Sequence, residues 1–237
     1  MALRRLNPDR RGRSAANGHG PSPNGQRAMG QVTDLAAFRP RSRREPIGAA
    51  PLRAEFYLDL ESPFTYLAAE RVQRTFADLA WIPAFARVVR REPAALEREI
   101  ATATARAAAL RLPLVWPEQW PGNTTGAMRA ASYAATQGRA AGFVVAACRL
   151  AWAGGFDLED AQVLAEAAAA ANLSPEAALR AARDPAHDAA IDAAGRRIAA
   201  AGADRLPAVL IRDAVFVGEQ RVAEAAAYAR AGAAERA

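Results

Sequence analysis

The sequence predicts an α/β fold in which one small sheet is interrupted by an inserted all-helical domain. Three observations predict it. A strand-helix-strand pattern occupies residues 54–88, an alanine-rich helical block runs from about 93 to 201, and a strand-strand-helix pattern closes the chain. Without the middle block, the remainder is a single sheet flanked by helices. The expected domains are therefore residues 53–92 with 203–237 for the sheet, and 93–202 for the helical insertion.

In chain order, residues 1–52 come first and show no apolar period of helical or strand type. Asn17-Gly18-His19-Gly20 and Pro21-Ser22-Pro23-Asn24-Gly25 concentrate turn residues there, so this leader is expected to be disordered. Its two plain readings are a solvated tail and an initiator placed too early, with the true start at Met29. Residues 54–60 alternate, placing Phe56, Leu58 and Leu60 opposite Glu55, Tyr57 and Asp59, which predicts a strand with one buried face. Ser62-Pro63 then opens a helix to about residue 78, with serine as N-cap and proline where its missing N–H costs nothing. Trp81–Val88 reads as a second strand, and the unit so formed should have parallel strands and a right-handed crossover.

The helical block opens at Glu92-Pro93 and is broken by Pro113, Pro117 and Pro121. Helices follow at about 124–137, 140–153 and 158–171, and Ser174-Pro175 and Asp184-Pro185 repeat the capped-proline start. Ala208–Ile211 and Ala214–Val217, separated by Arg212-Asp213, predict a hairpin, and a last helix reaches about Arg230.

Composition narrows the chemistry. With 51% hydrophobic residues over 237 positions, the chain can bury one substantial core, and no run approaches the length needed to span a bilayer. The net charge of +6 belongs to the leader, since residues 1–53 carry eleven Arg against Asp9, Asp34 and Glu45 and the remainder is slightly acidic. Nucleic acid is thus not an expected partner beyond contact by that basic leader. Cys148 is the only cysteine, so no intramolecular disulfide forms, and a cytoplasmic location fits. His19 and His187 read as surface residues, Cys148 as a buried inert thiol, and no His/Cys/carboxylate spacing suggests a metal. Phosphate-binding glycine loops are absent as well. A strand that stops at a helix N-terminus, as at Ser62, suits a bound anion.

The stretch Phe56-Tyr57-Leu58-Asp59-Leu60-Glu61-Ser62-Pro63-Phe64-Thr65-Tyr66-Leu67-Ala68 resembles the opening of 2-hydroxychromene-2-carboxylate isomerases and kappa-class glutathione transferases. Trp120-Pro121-Gly122-Asn123-Thr124, Leu206-Pro207-Ala208-Val209 and Val217-Gly218-Glu219-Gln220-Arg221-Val222 are similar, in the same order, to further stretches of that family. The resemblance implies a thioredoxin-like, DsbA-like sheet. It implies glutathione as cofactor, its thiolate accepting a hydrogen bond from Ser62 at the helix start, where the dipole and a hydroxyl lower a thiol pKa. It places Ser62, Pro63, Phe64, Leu206, Pro207, Val217, Gly218, Glu219 and Gln220 around glutathione, makes the Leu206-Pro207 bond cis, and sets Asn123 and Arg87 toward the substrate. The implied activity is a glutathione-dependent isomerase acting on a small, electrophilic, aromatic-derived substrate, with dimerisation through the helical insertion as a possible assembly.

Ser62-Pro63-Phe64-Thr65 stands where redox relatives carry Cys-x-x-Cys, so dithiol exchange is excluded. Thr65 reads as an interior helix residue, and Ser174-Pro175 as a cap and nothing more. Two positions depart from the family. Gln220 replaces an aspartate that meets the γ-glutamyl ammonium, with Glu219 as the candidate substitute. The family's lysine after the second strand is missing, leaving Arg87, Arg90 or Arg91 to supply a cation, although arginine is not interchangeable with lysine. The rival readings are a transferase with a different electrophile and a non-catalytic thioredoxin-fold adaptor.

Overall fold

The structure, a computed structural model, describes residues 53–89, 96–118 and 120–234. The leader and the expectations for Arg90, Arg91 and Glu92-Pro93 lie outside them. Strand β1 (Ala54–Leu58) leads into helix α1 (Pro63–Thr75) and strand β2 (Leu79–Pro83). Strands β3 (Ala208–Ile211) and β4 (Ala214–Val217) form the expected hairpin, with Arg212 of the two-residue turn at φ 55. The sheet order is β2-β1-β3-β4, with β2 parallel to β1 and β3 antiparallel to it. Because Tyr57 pairs with Ala208, the end of β1 and the start of β3 lie side by side, and the chain around Ser62 emerges at the same end of the sheet as Pro207.

Between the two halves of the sheet come α2 (Ala86–Val89), α3 (Leu96–Leu110), α4 (Thr125–Thr136), α5 (Ala140–Cys148), α6 (Ala161–Ala170), α7 (Pro175–Arg183) and α8 (Asp188–Ala200). Helix α5 continues as one π-helical turn through Ala153, and α9 (Val222–Ala234) closes the described chain. Alanine at Ala127, Ala130, Ala131 and Ala134 of α4 is fully buried, which allows close helix approach. One core joins Phe56, Leu58 and Leu67 of the sheet unit to Met128, Phe143, Val144 and Trp152 of the helical block. Among the described residues no helix is long and apolar enough to cross a membrane.

Two expectations change. Strand β1 is buried on both faces: Tyr57 is 0% exposed and packs with Ile198, Ala203 and Leu206 in a second apolar cluster. An interior strand with helices on both faces has no solvent side, so alternation there did not mark exposure. The second strand also stops at Pro83, and Ala86–Val89 turns helical. Asp59 Oδ2 accepts the Ala86 N–H at 2.6 Å, giving that turn a partner the strand reading did not contain.

Candidate active site

The β1–α1 junction is held at nearly every peptide. Asp59, buried, accepts the Glu61 N–H through Oδ1 at 2.9 Å, and the Ser62 N–H donates to the Asp59 carbonyl at 3.2 Å. The Leu60 N–H meets the Met128 sulfur at 3.4 Å. The indoles of Trp152 and Trp120 donate to the carbonyls of Leu60 (3.3 Å) and Glu61 (3.1 Å). Trp116, Trp120 and Trp152 stack edge to face, with centroids 4.7 to 6.3 Å apart. Beside them, Leu60, Glu61, Trp120, Asn123, Trp152 and the exposed Phe156 line a cavity of about 30 Å³.

Ser62 occupies the N-cap of α1 with extended backbone (φ −88, ψ 121), and Pro63 follows it into the helix. Its hydroxyl makes no capping hydrogen bond, and the residue is 6% exposed. Ser174, in the same Ser-Pro context with nearly the same ψ of 120, does cap: its Oγ accepts the Ala177 N–H at 3.3 Å. One Ser-Pro pair is thus a cap, while the other keeps its hydroxyl off the helix. A hydroxyl and the positive end of the helix dipole favour an anion there, a thiolate included.

Across the sheet end, the Leu206-Pro207 bond is cis, as expected, and the Pro207 carbonyl accepts the Gly218 N–H at 2.8 Å. Leu206 and Pro207 are buried, and Val217 is half-buried at the end of β4. Gly218 holds φ 92, and a Cβ added there would come within 2.6 Å of the Gln220 amide, which folds back over it. The positive φ favours glycine, whereas the exposed Gln220 side chain could swing away from a Cβ.

The candidate substitute for the missing aspartate is already engaged. Glu219 is 1% exposed and lies between two guanidiniums: Arg71 Nη1 reaches its Oε2 at 2.7 Å, and Arg106 Nε its Oε1 at 2.5 Å. Arg71 also donates to the Glu219 carbonyl. The expectation that Glu219 meets an ammonium group is therefore corrected; its carboxylate fastens the turn after β4 to α1 and α3. Arg87 is directed elsewhere too. Its guanidinium lies 3.5 Å over the Phe85 ring and pairs with Asp192 of α8, so neither contact is with the Ser62 loop. Asn123, which lines the small cavity, donates to Glu159 and accepts the Thr125 N–H at 3.0 Å. Phe64, in the first turn of α1, is half-buried against the core.

Asp59, Arg71, Arg106 and the tryptophan trio are the residues that sequence reasoning missed around this site. Asp59 was hidden by its place in an alternating strand, and the arginines by a sequence full of them. Three of the four tryptophans at 116, 120 and 152, all in or beside helical positions, were the one available signal. No group of three or more metal-binding side chains occurs among the described residues. Cys148 is buried, and burial pushes its thiol far up.

The DSBA-like thioredoxin domain matches residues 53–229. Among solved structures, the chain is similar to a 2-hydroxychromene-2-carboxylate isomerase, with TM-score 0.68 and 16% identity over 78% of this chain and 97% of that one. A probable DsbA oxidoreductase from Streptomyces coelicolor gives 0.61 and 22%, over 76% and 90%. The cytosolic disulfide reductase DsbM from Pseudomonas aeruginosa, solved with GSH, gives 0.58 and 16%, over 78% and 98%. No curated protein sequence matches the chain significantly.

Proposed function

This chain belongs to the DsbA-like thioredoxin domain family, and on that premise we propose that it is a glutathione-dependent isomerase resembling 2-hydroxychromene-2-carboxylate isomerase. The observation that carries the reading is the Ser62 hydroxyl, placed at a helix start and not used to cap it. The fold neighbours agree in kind: one is such an isomerase and another was solved with GSH. Glutathione, when bound, supplies a sulfur nucleophile that adds reversibly to an unsaturated substrate and leaves unchanged, which asks no redox chemistry of the protein.

The residues fit that group best at its sulfur. The Ser62 O–H donates to the sulfur anion, and the dipole of α1 favours its charged form, so a thiolate persists at neutral pH without a general base. Leu206, next to the cis bond, offers its backbone to the cysteinyl unit. Gly218 and the Gln220 amide bound the γ-glutamyl end, where a neutral amide replaces a charge–charge contact and weaker glutathione binding follows. Glu219 holds that turn in place through Arg71 and Arg106. The tryptophan-lined side of the Ser62 loop offers an apolar, aromatic surface to a small electrophilic substrate. A cytoplasmic location, where glutathione is abundant and reduced, completes the reading.

Titrating glutathione while following tryptophan fluorescence tests it, because Trp120 and Trp152 touch the Ser62 loop. Binding at millimolar concentration is expected, and its absence sinks the proposal. In Ser62→Ala the bound thiol should titrate about one pH unit higher, read from thiolate ultraviolet absorbance. An unchanged midpoint removes Ser62 from the mechanism.

A further inference from the structure

The helical block holds a hollow of its own. Helices α4, α6 and α7, with the turn before α6, wall a cavity of about 560 Å³, within the ~300–1,000 Å³ typical of small-molecule sites. Its apolar part comes from Leu158 and Leu164, both buried, and the half-buried Leu179. Small residues keep it open. Ala161 and Ala182 line it, and Gly126 stands in the first turn of α4. A Cβ at Gly126 would meet Ala182 O at 3.5 Å and Ala182 Cβ at 3.7 Å, both ordinary contact distances. Packing therefore admits alanine, the better helix former, yet this alanine-rich helix keeps glycine and the hollow keeps its depth.

The charges select the occupant. Arg129 lines the hollow, but its guanidinium is spent on both oxygens of Asp188. Arg183, at the end of α7, is exposed and makes no hydrogen bond or ion pair among the described residues. Glu159, also exposed, accepts the Asn123 amide and has no cationic partner among the described residues. Arg183 and Glu159 thus line one cavity with opposite charges and do not pair with each other. Two such charges beside a leucine surface match a ligand that carries both charges itself and an apolar body.

We propose that this hollow binds a free amino acid with an apolar side chain: its carboxylate on the Arg183 guanidinium, its ammonium on Glu159, and its side chain on Leu158, Leu164 and Leu179. Arginine offers a planar fork that takes a carboxylate through two N–H groups. Glu159 keeps lone pairs beyond the one given to Asn123. A plain carboxylate leaves Glu159 unmatched and a plain amine leaves Arg183 unmatched, so recognition needs both ligand charges. The site asks nothing of glutathione. It adjoins the small cavity beside the Ser62 loop through Asn123 and Leu158, which line both.

Isothermal calorimetry on the full chain tests the proposal, with L-leucine and L-phenylalanine as probes and no glutathione present. At least one should bind saturably, with a dissociation constant below about 1 mM. The N-acetyl derivative of the tighter binder lacks the ammonium and its amide lacks the carboxylate, and each should bind about tenfold more weakly. R183Q and E159Q should each weaken the free amino acid about tenfold as well. R183Q should also narrow the gap between the amino acid and its amide, because the carboxylate has then lost its partner. A161W brings a ring into the hollow from an exposed position and should abolish binding with an unchanged melting temperature. Should A161W prove less stable, R183Q and E159Q decide alone, since both side chains are exposed. No heat from either amino acid at about 10 mM overturns the proposal. Binding that R183Q and E159Q leave unchanged overturns it too. An N-acetyl derivative that binds as tightly as the free amino acid also overturns it, because Glu159 then has no part in recognition.

Discussion

Single residues here are decided by what their polar atoms have been spent on. Ser62 and Ser174 share a sequence context and a backbone conformation, yet one hydroxyl caps its helix and the other does not. Glu219 shows the opposite case, a carboxylate next to the expected ligand site that is fully consumed by Arg71 and Arg106. Removing the charge leaves two guanidiniums without their common partner, and both are partly exposed, which softens the loss. Glu219→Gln should therefore cost about 2 kcal/mol in urea unfolding. It should also loosen the turn at Gly218 and, under the proposed function, weaken glutathione binding. A fully stable Glu219→Gln protein would mean that the two arginines do not hold this turn.

At the scale of elements, the β1–α1 junction is built by side chains from the helical block. Met128, Trp120 and Trp152 reach back to consecutive peptide groups of Leu60 and Glu61. The insertion is thus part of the site's frame, since without it those carbonyls would lack their donors. Within the block, Arg129 of α4 grips both oxygens of Asp188 at the start of α8, at 2.7 Å each. Those hydrogen bonds, and the Arg129 charge after them, hold the Asp188 carboxyl below the ordinary carboxylate range. Because the folded value is the lower one, the stabilisation is complete above the ordinary range and is lost as pH falls through the folded value. Arg129→Met should cost about 1 kcal/mol at neutral pH. It should also flatten the acid limb of the stability–pH curve measured by urea unfolding. An identical acid limb would show that this pair is not what links α4 to α8.

For the whole molecule, the fold is one used by disulfide-exchanging proteins, while the chain holds a single thiol. Cys148 sits inside α5 against the core, and its burial disfavours the thiolate. The native protein should not reduce a disulfide substrate by itself. Alkylation of Cys148 should proceed only as fast as the structure opens, and become rapid in denaturant. Rapid alkylation of the native state would contradict the burial described here.

Much of the fold was legible because its signals are local. Ser62-Pro63 and Ser174-Pro175 start helices where expected, the hairpin spans the residues that its polar break at Arg212-Asp213 marks, and the Leu206-Pro207 bond is cis. The candidate site was legible only in part. Ser62 is a candidate from its local context alone, but Asp59 was assigned to a solvent face and Glu219 to a ligand. Each depends on partners set by the fold: Ala86 for Asp59, and Arg71 and Arg106 for Glu219. The sequence by itself determined the order of elements, their turn chemistry and the absence of a dithiol, because periodicity, capping and residue type act over a few residues. Only the tertiary structure decided which hydroxyls and charges remain unspent at the helix start, because a hydrogen bond is claimed by whichever group the fold brings within reach.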